Sequence, residues 1–448
     1  VYDAVTIEER NRPTVSLVNY GFTNDAESAS RSEGFPTLRY VPTSVPCESS
    51  VMEDIEAGVD GALDQIIAAL TKPLSAEEKS PRPKEPEKPA RIIFKGSLEE
   101  VNRFFYQRGW TDGLPVVPPT EAAVAEMLTG TDLPPDHLLG RLESRLGKAT
   151  VEKIAIAAVM AGCLPTYMPV LIAGTINLIE SEPGFMGYTT FGFSTGSWAP
   201  FWIINGPIRG QLNINGGSGT FSPGNIANAA IGRAMGLIVK NIGGVRKGVE
   251  DMGVMGNPMK YTMVIAENEE ESPWEPLHVE MGYQKEDSTI TLSFPQTYLQ
   301  HWPYGSDAQG ILRAVVDNMP HGRRYTVIFT PPHARNLARE GFTKAKVKQY
   351  IVANKLEPAE VVRTRASGGL AFAQVHPDSL PKEGMVPQID DPRFIKVIVG
   401  GGPGAFIAHL VGGGATPGRK EIQKIGLPKN WDKLVAKHKN VVPTYAKY

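Results

Sequence analysis

A chain of 448 residues is too long for one ordinary domain, and a hydrophobic content of 41% is enough to fill a sizeable core. A formal charge of −2, with acids and bases interspersed, gives no field to attract nucleic acid, and no run of about 18 apolar residues offers a membrane span. Two cysteines, Cys47 and Cys163, exclude a disulfide framework and a zinc site built on thiolates; a single 47–163 bridge is conceivable, but two reduced thiols in a cytoplasmic protein is the plainer reading.

The chain opens on Val1, and Tyr2–Glu9 already reads as helix, so an upstream segment is expected, either removed or carried on another polypeptide. Pro13–Val18 is a short β-branched strand. Thr23 is placed to cap a helix over Asn24–Glu33 that ends at Gly34, and Leu38–Val41 is the next strand. Ser50 then caps Val51–Leu70, where Met52, Ile55, Val59, Leu63, Ile66, Ile67 and Leu70 recur at helical spacing. Strand, helix, strand, helix predicts a parallel sheet with a right-handed crossover, a partial Rossmann-like unit over 1–72. Such a half unit leaves an open sheet edge, which a second polypeptide would complete.

Residues 73–90 form a charged, proline-rich linker that cannot bury a core. Residues 91–448 read as one large α/β domain with a mixed sheet. It starts with a strand at Arg91–Lys95 and a capping box, Ser97 with Glu100, that opens a helix through Tyr106. Thr120 and Thr150 cap two more helices, and glycine-rich ground runs from Gly184 to Gly256. Strands are predicted at Tyr261–Ala266, Thr289–Phe294, Tyr325–Phe329 and Phe394–Val399. Helices at Ala334–Glu340 and Thr343–Asn354 lie between the last two.

Chemistry concentrates in a few places. Cys163 ends an apolar helix at a bend set by Gly162 and Pro165; it is either a small buried hydrophobe or a thiol facing a cleft, and as a nucleophile it needs a positive neighbour such as Arg233. The stretch Glu267–Glu280 directly follows a strand end, where functional loops of α/β sheets lie. Its acids are mixed with Trp274, prolines and His278, so Glu267, Glu275 and His278 suit acid–base work or a divalent ion, although no HExxH spacing names a metal. Trp110-Thr111-Asp112-Gly113 is a dense loop that reads either as an Asp-Gly turn beside a packed tryptophan or as a cleft loop, facing the same cleft as Cys163, in which Asp112 orients a partner. Asn205, Arg233, Trp110, Trp274 and Asn268 are the candidate substrate contacts, drawn from an Asn/Gly-rich wall of donors and from the two aromatic loops. Val399-Gly400-Gly401-Gly402-Pro403-Gly404 has the look of a phosphate loop, but no GxGxxG or Walker spacing fits, and a tight strand-to-helix turn is the expected role. His301, His321, His333 and His376 lack mutual metal spacing. The cofactor is left unknown.

Residues 1–72, ending Asp64-Gln65-Ile66-Ile67-Ala68-Ala69-Leu70-Thr71-Lys72, resemble the part of the UGSC family (seleno)protein domain that follows its Sec/Cys-Gly-Ser-Cys motif. Residues 91–448 resemble the large domain of bacterial UGSC-like proteins through Gly109-Trp110-Thr111-Asp112-Gly113-Leu114-Pro115, Val159-Met160-Ala161-Gly162-Cys163, Ala266-Glu267-Asn268 and Ser272-Pro273-Trp274-Glu275-Pro276-Leu277-His278. The resemblance implies a reactive chalcogen, hence thiol or selenol redox or nucleophilic chemistry. The motif itself is absent from this sequence: if it resides on a separate subunit or a cleaved fragment the active site is shared, and if it is lost Cys163 and the acidic loop act alone. The expectation is therefore an enzyme, oligomeric, acting on a small polar or anionic molecule by thiol-dependent or redox chemistry. The alternatives are a hydrolase or lyase in which the Glu267–His278 loop activates water, and a non-catalytic subunit completing a partner's active site.

Overall fold

The computed structural model describes residues 1–45, 51–79, 90–142, 145–181, 195–322, 324–367, 381–389, 391–413 and 421–439. Cys47, Ser50, His376, the centre of the proline-rich linker and residues 182–194 of the glycine-rich stretch lie outside these ranges.

The first unit is built as the alternation predicts. Helix α1 (Tyr2–Glu8) leads to strand β1 (Ser16–Asn19), helix α2 (Thr23–Ser32), strand β2 (Tyr40–Thr43) and helix α3 (Met52–Thr71). β1 and β2 pair in parallel, Leu17 opposite Val41, with α2 as the crossover. A full Rossmann sheet needs further strands, and the described residues hold two here. Gly34 takes the left-handed conformation (φ +81°) expected after α2. Thr23 is the first helical residue, not the cap; its hydroxyl donates to the Tyr20 carbonyl instead. Arg39 closes the far end of α3, donating to the carbonyls of Ala69, Lys72 and Pro73, which are among the acceptors a helix C-terminus leaves open.

In the second part, the capping box at Ser97 and Glu100 forms at the head of α4 (Leu98–Gln107), and Thr120 and Thr150 cap α5 (Glu121–Leu128) and α6 (Val151–Ala161). The strand expected at Arg91–Lys95 does not form. That segment lies along α4 instead, with Phe94 stacked on Phe104 at 4.5 Å between ring centroids. A hairpin, β3 (Leu138–Leu142) and β4 (Gly147–Thr150), precedes α6, and α7 (Met168–Glu180) and α8 (Ile226–Asn241) complete the first helical layer.

Two strands, β9 (Leu356–Pro358) and β10 (Met385–Pro387), form a separate antiparallel pair; the main sheet contains β5 (Phe201–Asn205), β6 (Val264–Ala266), β7 (Thr289–His301), β8 (Arg324–Phe329), β11 (Ile395–Val399), β12 (Ile407–Gly413) and β13 (Ile422–Lys424). Its order is β11-β8-β12-β7-β5-β6, with β13 beside the start of β7. The β5–β6 and β8–β11 pairs are parallel, and the others are antiparallel. Alternation along the strands divides the core. Phe201, Ile203, Ile265, Ile328, Ile398 and Leu410 fill the inside of a curled half-barrel. Trp202, Ile204, Val264, Ile290 and Leu292 face α6, α7 and α8. Val327, Phe329, Val397, Val399, Ile407 and Val411 face α9 (Ala308–Asn318), α10 (Pro331–Arg339) and α11 (Lys344–Asn354). With both faces covered, a strand such as β5 is apolar from Phe201 to Ile204, up to the polar Asn205 at its end. The curl brings the outer strands together at their carboxyl ends, where the Asn268 amide donates to the Val399 carbonyl at 2.9 Å. Gly400–Gly404 then leads into β12, so it is a strand-to-strand link, not a strand-to-helix turn. No described helix is long and apolar enough to cross a membrane.

Among the described residues, a charged knot joins the two parts. Glu250, almost fully buried, accepts from Arg246, Arg145 and Ser28 of α2. Burial alone would raise its pKa, but these donors and the Arg145 charge hold it at about 2. Asp25, close by on α2, goes the other way: burial, then the Glu250 charge, pushes it up to about 6. A carboxyl raised in the folded state contributes stability that is fully present below its ordinary value of 3.8 and lost as pH rises through 6. Asp25→Asn is therefore expected to match the parent near pH 4 and to exceed it above pH 7 by up to about 3 kcal/mol. Urea unfolding of both proteins across that range measures the difference, and parallel curves would refute it.

Candidate active site at the carboxyl ends of β5 and β6

β5 ends at Asn205 and β6 at Ala266, and the residues just beyond them form a buried polar cluster. Glu267 is fully buried; its Oε2 accepts from Asn205 Nδ2 at 2.6 Å and from the Leu277 amide at 2.7 Å, and its Oε1 lies 3.3 Å from Lys344 Nζ of α11. Lys344 also reaches Glu280 Oε2 at 3.5 Å, and Lys348 pairs with Glu280. Glu269 Oε1 accepts from Asn205 Nδ2 at 2.9 Å and from the Gly206 amide at 2.8 Å, while its Oε2 is 2.9 Å from Arg209. Arg209, itself buried, donates to the Glu267 carbonyl and forks onto the Glu270 carboxylate, and these bonds hold Glu270 below the usual carboxylate range. His278, fully buried on a single helical turn (Leu277–Glu280), places Nε2 3.4 Å from the Lys285 carbonyl and Nδ1 3.9 Å from Glu269 Oε1.

Several orientations in this cluster are forced. Asn205 Nδ2 faces two carboxylates, so it is the donor end of the amide and Oδ1 points away from them. His278 Nε2 faces a carbonyl and so carries the hydrogen, which leaves Nδ1 as a bare lone pair in the neutral ring. Asn205 Oδ1 and His278 Nδ1 are both buried without a hydrogen-bond partner. Among the described residues, no group of three or more His, Cys, Asp or Glu side chains is arranged to hold a metal ion.

Of the expected site residues, Asn205, Glu267 and His278 come together here. Asn268 borders the cluster, its side chain donating to Glu271. Glu275 is exposed, and Trp274 turns to the other core, donating to the Phe342 carbonyl at 2.8 Å and meeting Phe329 edge-on. Glu269, Arg209, Glu280 and Lys344 complete the cluster without having been singled out. Arg209 and Glu269 stood in stretches of sequence that attracted notice, whereas Lys344 is 77 residues from Glu267 and had no local signal.

Cys163, Arg233, Asp112 and Trp110 form a second group, in the helical layer. Gly162 closes α6 in the left-handed conformation (φ +80°), and the Cys163 thiol turns inward to the Ala230 carbonyl of α8 at 3.3 Å. Burial pushes this free thiol well above its ordinary pKa, with Arg233 opposing only weakly. The Arg233 guanidinium is committed to a two-point pair with Asp112 at 2.8 and 3.0 Å and to the Pro115 carbonyl at 2.7 Å. The Trp110 carbonyl accepts from Asn241, and its ring packs against Phe104 and Phe105. The group fastens loop 110–115 to α8, and its hydrogen bonds have no residue in common with those of the Glu267 cluster. The asparagine-rich wall is similarly engaged: Asn228 holds both backbone groups of Asn215 and the Val264 carbonyl.

A third polar pair, on β7 and β12, lies under α10. His301 and His409 are stacked with their Nε2 atoms 2.6 Å apart. His301 Nδ1 faces the Trp302 carbonyl and carries a hydrogen, so its Nε2 accepts from His409 Nε2–H, which leaves His409 Nδ1 bare. Burial pushes His409 down to about 3.

Residues 1–72 match the family model described as UGSC family, and the match does not extend into the part that carries these clusters. No curated protein and no solved structure matches the chain.

Proposed function

We propose that the chain is an acid–base enzyme of hydrolase or lyase type, acting on a small polar molecule at the Asn205–Glu267–Glu269–His278 cluster. One observation carries the reading: two buried acceptors, Asn205 Oδ1 and His278 Nδ1, stand unsatisfied on two residues that both meet Glu269 Oε1, Asn205 through its Nδ2 at 2.9 Å and His278 through Nδ1 at 3.9 Å. Leaving such atoms without partners costs roughly 1–3 kcal/mol each, so the fold retains them at a loss unless a donor occupies the place. The group that fits carries at least two hydrogens: a water, a hydroxyl or an amine. Asn205 Oδ1 accepts one hydrogen and fixes the orientation. His278 Nδ1 removes the other, and Glu269 stabilises the imidazolium that results. Glu267, held by the Leu277 amide and Lys344, positions Asn205.

The thiol-dependent reading draws less support, because Cys163 is buried, bonded to a carbonyl and held in its neutral form. As a free thiol it fits a reducing, cytoplasmic setting. The base role is tested by imidazole ¹⁵N spectra of the parent and of His278→Gln. The signal absent from the variant is expected to report hydrogen on Nε2 and a bare Nδ1 at neutral pH. Hydrogen on Nδ1 in the neutral ring would remove the base.

A further inference from the structure

We infer that α3 is the seat of an amphipathic helix with lysine- and arginine-rich flanks, supplied by a partner polypeptide. Met52, Val59, Leu63, Ile67 and Leu70 are 63%, 39%, 48%, 50% and 41% exposed. At 100° per residue they fall within an arc of about 80° and run for about 27 Å along the helix. α3 rests on β2 through a different face, where Ala62 is buried and Gly58 meets Val45. The exposed stripe is therefore a second apolar face that the described residues of the unit leave uncovered. Glu56 interrupts the stripe next to Met52, but from Val59 to Leu70 it is contiguous, and apolar surface of this kind on a folded protein marks a contact site.

The sheet beneath is bare at the corresponding place. Arg39 reaches the carbonyls at the end of α3, so Arg39 and, by alternation, Val41 lie on the α3 side of β2. Leu17 is the register partner of Val41 and shares that side; Val41 is 3% exposed and Leu17 is 47% exposed. Among the described residues α3 thus covers β2 and leaves Leu17 of β1 exposed. A helix laid beside α3 covers Leu17 and the stripe together.

Charge selects the occupant. Between Met52 and Thr71 there are five acids, Glu53, Asp54, Glu56, Asp60 and Asp64, and no lysine or arginine. A second copy of α3 brings the same acids and is repelled, and an anionic bilayer is disfavoured for the same reason. A helix with an apolar stripe and basic flanks satisfies both the surface and the charge.

Two synthetic 18-residue helical peptides test this on the full chain, one of leucine and lysine and one of leucine and glutamate, both with the same apolar stripe. The leucine–lysine peptide is expected to bind saturably at one per chain. Leu63→Ser with Ile67→Ser should weaken it at least tenfold, and Asp60→Lys with Asp64→Lys should do the same while admitting the leucine–glutamate peptide. All four substitutions are at helix positions outside the buried face, and an unchanged thermal midpoint confirms the fold. Equal binding of both peptides by the parent, or binding indifferent to the Leu63/Ile67 variant, overturns the inference. So does failure of the leucine–lysine peptide to bind. A dimer in sedimentation velocity that the Leu63/Ile67 variant abolishes replaces the partner with a second copy. Cosedimentation with zwitterionic or anionic vesicles, lost in the same variant, replaces it with a membrane.

Discussion

Lys344→Met is expected to cost about 3–5 kcal/mol of stability, because it leaves a buried carboxylate without its cation. Lys344 is 4% exposed, and Glu267, 3.3 Å away, is not exposed at all. Methionine keeps most of the volume and the unbranched shape, so the loss is electrostatic and not a cavity effect. Asn205 and the Leu277 amide still donate to Glu267 Oε2, which places the result toward the lower end of the range; Oε1 keeps no strong partner. Glu280, also served by Lys348, suffers less. Adding Glu267→Gln to Lys344→Met should recover half or more of the loss, since the double variant buries no charge at this point. Urea unfolding of the parent, both single variants and the double variant gives the cycle. A loss under 1 kcal/mol for Lys344→Met would mean that the pair is hydrated, and the cluster could not then serve as a preorganised site.

How far the site could be read from the sequence follows from how far each signal travels along the chain. Caps are local: Ser97, Thr120 and Thr150 each bond an amide three residues on, and each helix begins where expected, whereas Thr343, expected as the first residue of its helix, is its cap. Asn205 and Glu267 were reachable because they stand at the ends of apolar strands, and His278 because it lies in the acidic stretch that follows one. Their partners were not. Lys344 arrives from another helical layer, and only the curl of the sheet, which joins Asn268 to Val399, brings that layer near β6. Strand ends misled for a different reason. Proline forbids a ladder bond, so β7 was expected to stop at Phe294. It continues to His301 because Pro295 lies opposite Gly412 at an irregularity in β12, where backbone atoms of residues 294–296 approach too closely for any side chain at 412. Cys163 shows the reverse limit. The bend at Gly162 was legible, but whether the thiol turned to a cleft or to the Ala230 carbonyl depended on α8, 67 residues away.

For the chemistry, the discriminating result is a contrast between two substitutions. If the cluster beyond β5 and β6 transfers protons, His278→Gln should lower turnover by about 10²–10⁴-fold, the usual contribution of a positioned general base. Glutamine can retain the contact with the Lys285 carbonyl, so the thermal midpoint should move little, although His278 is fully buried. Asn205→Leu should also lower turnover, but with a rise in KM, because it removes the acceptor that orients the donor; it releases Glu267 and Glu269 from the amide as well, and so should lose stability where His278→Gln does not. Cys163→Ala removes one weak hydrogen bond and a small buried volume, which predicts a stability loss of about 1–2 kcal/mol and an unchanged rate. A panel of small esters, amides and hydroxy acids, assayed by proton release or uptake and by direct product detection, supplies the substrate for these comparisons. The thiol-dependent reading makes the opposite forecast, with Cys163→Ala inactive and His278→Gln close to the parent. The buried thiol and the bare imidazole nitrogen therefore cannot both keep their assigned parts, and the two rates decide between them.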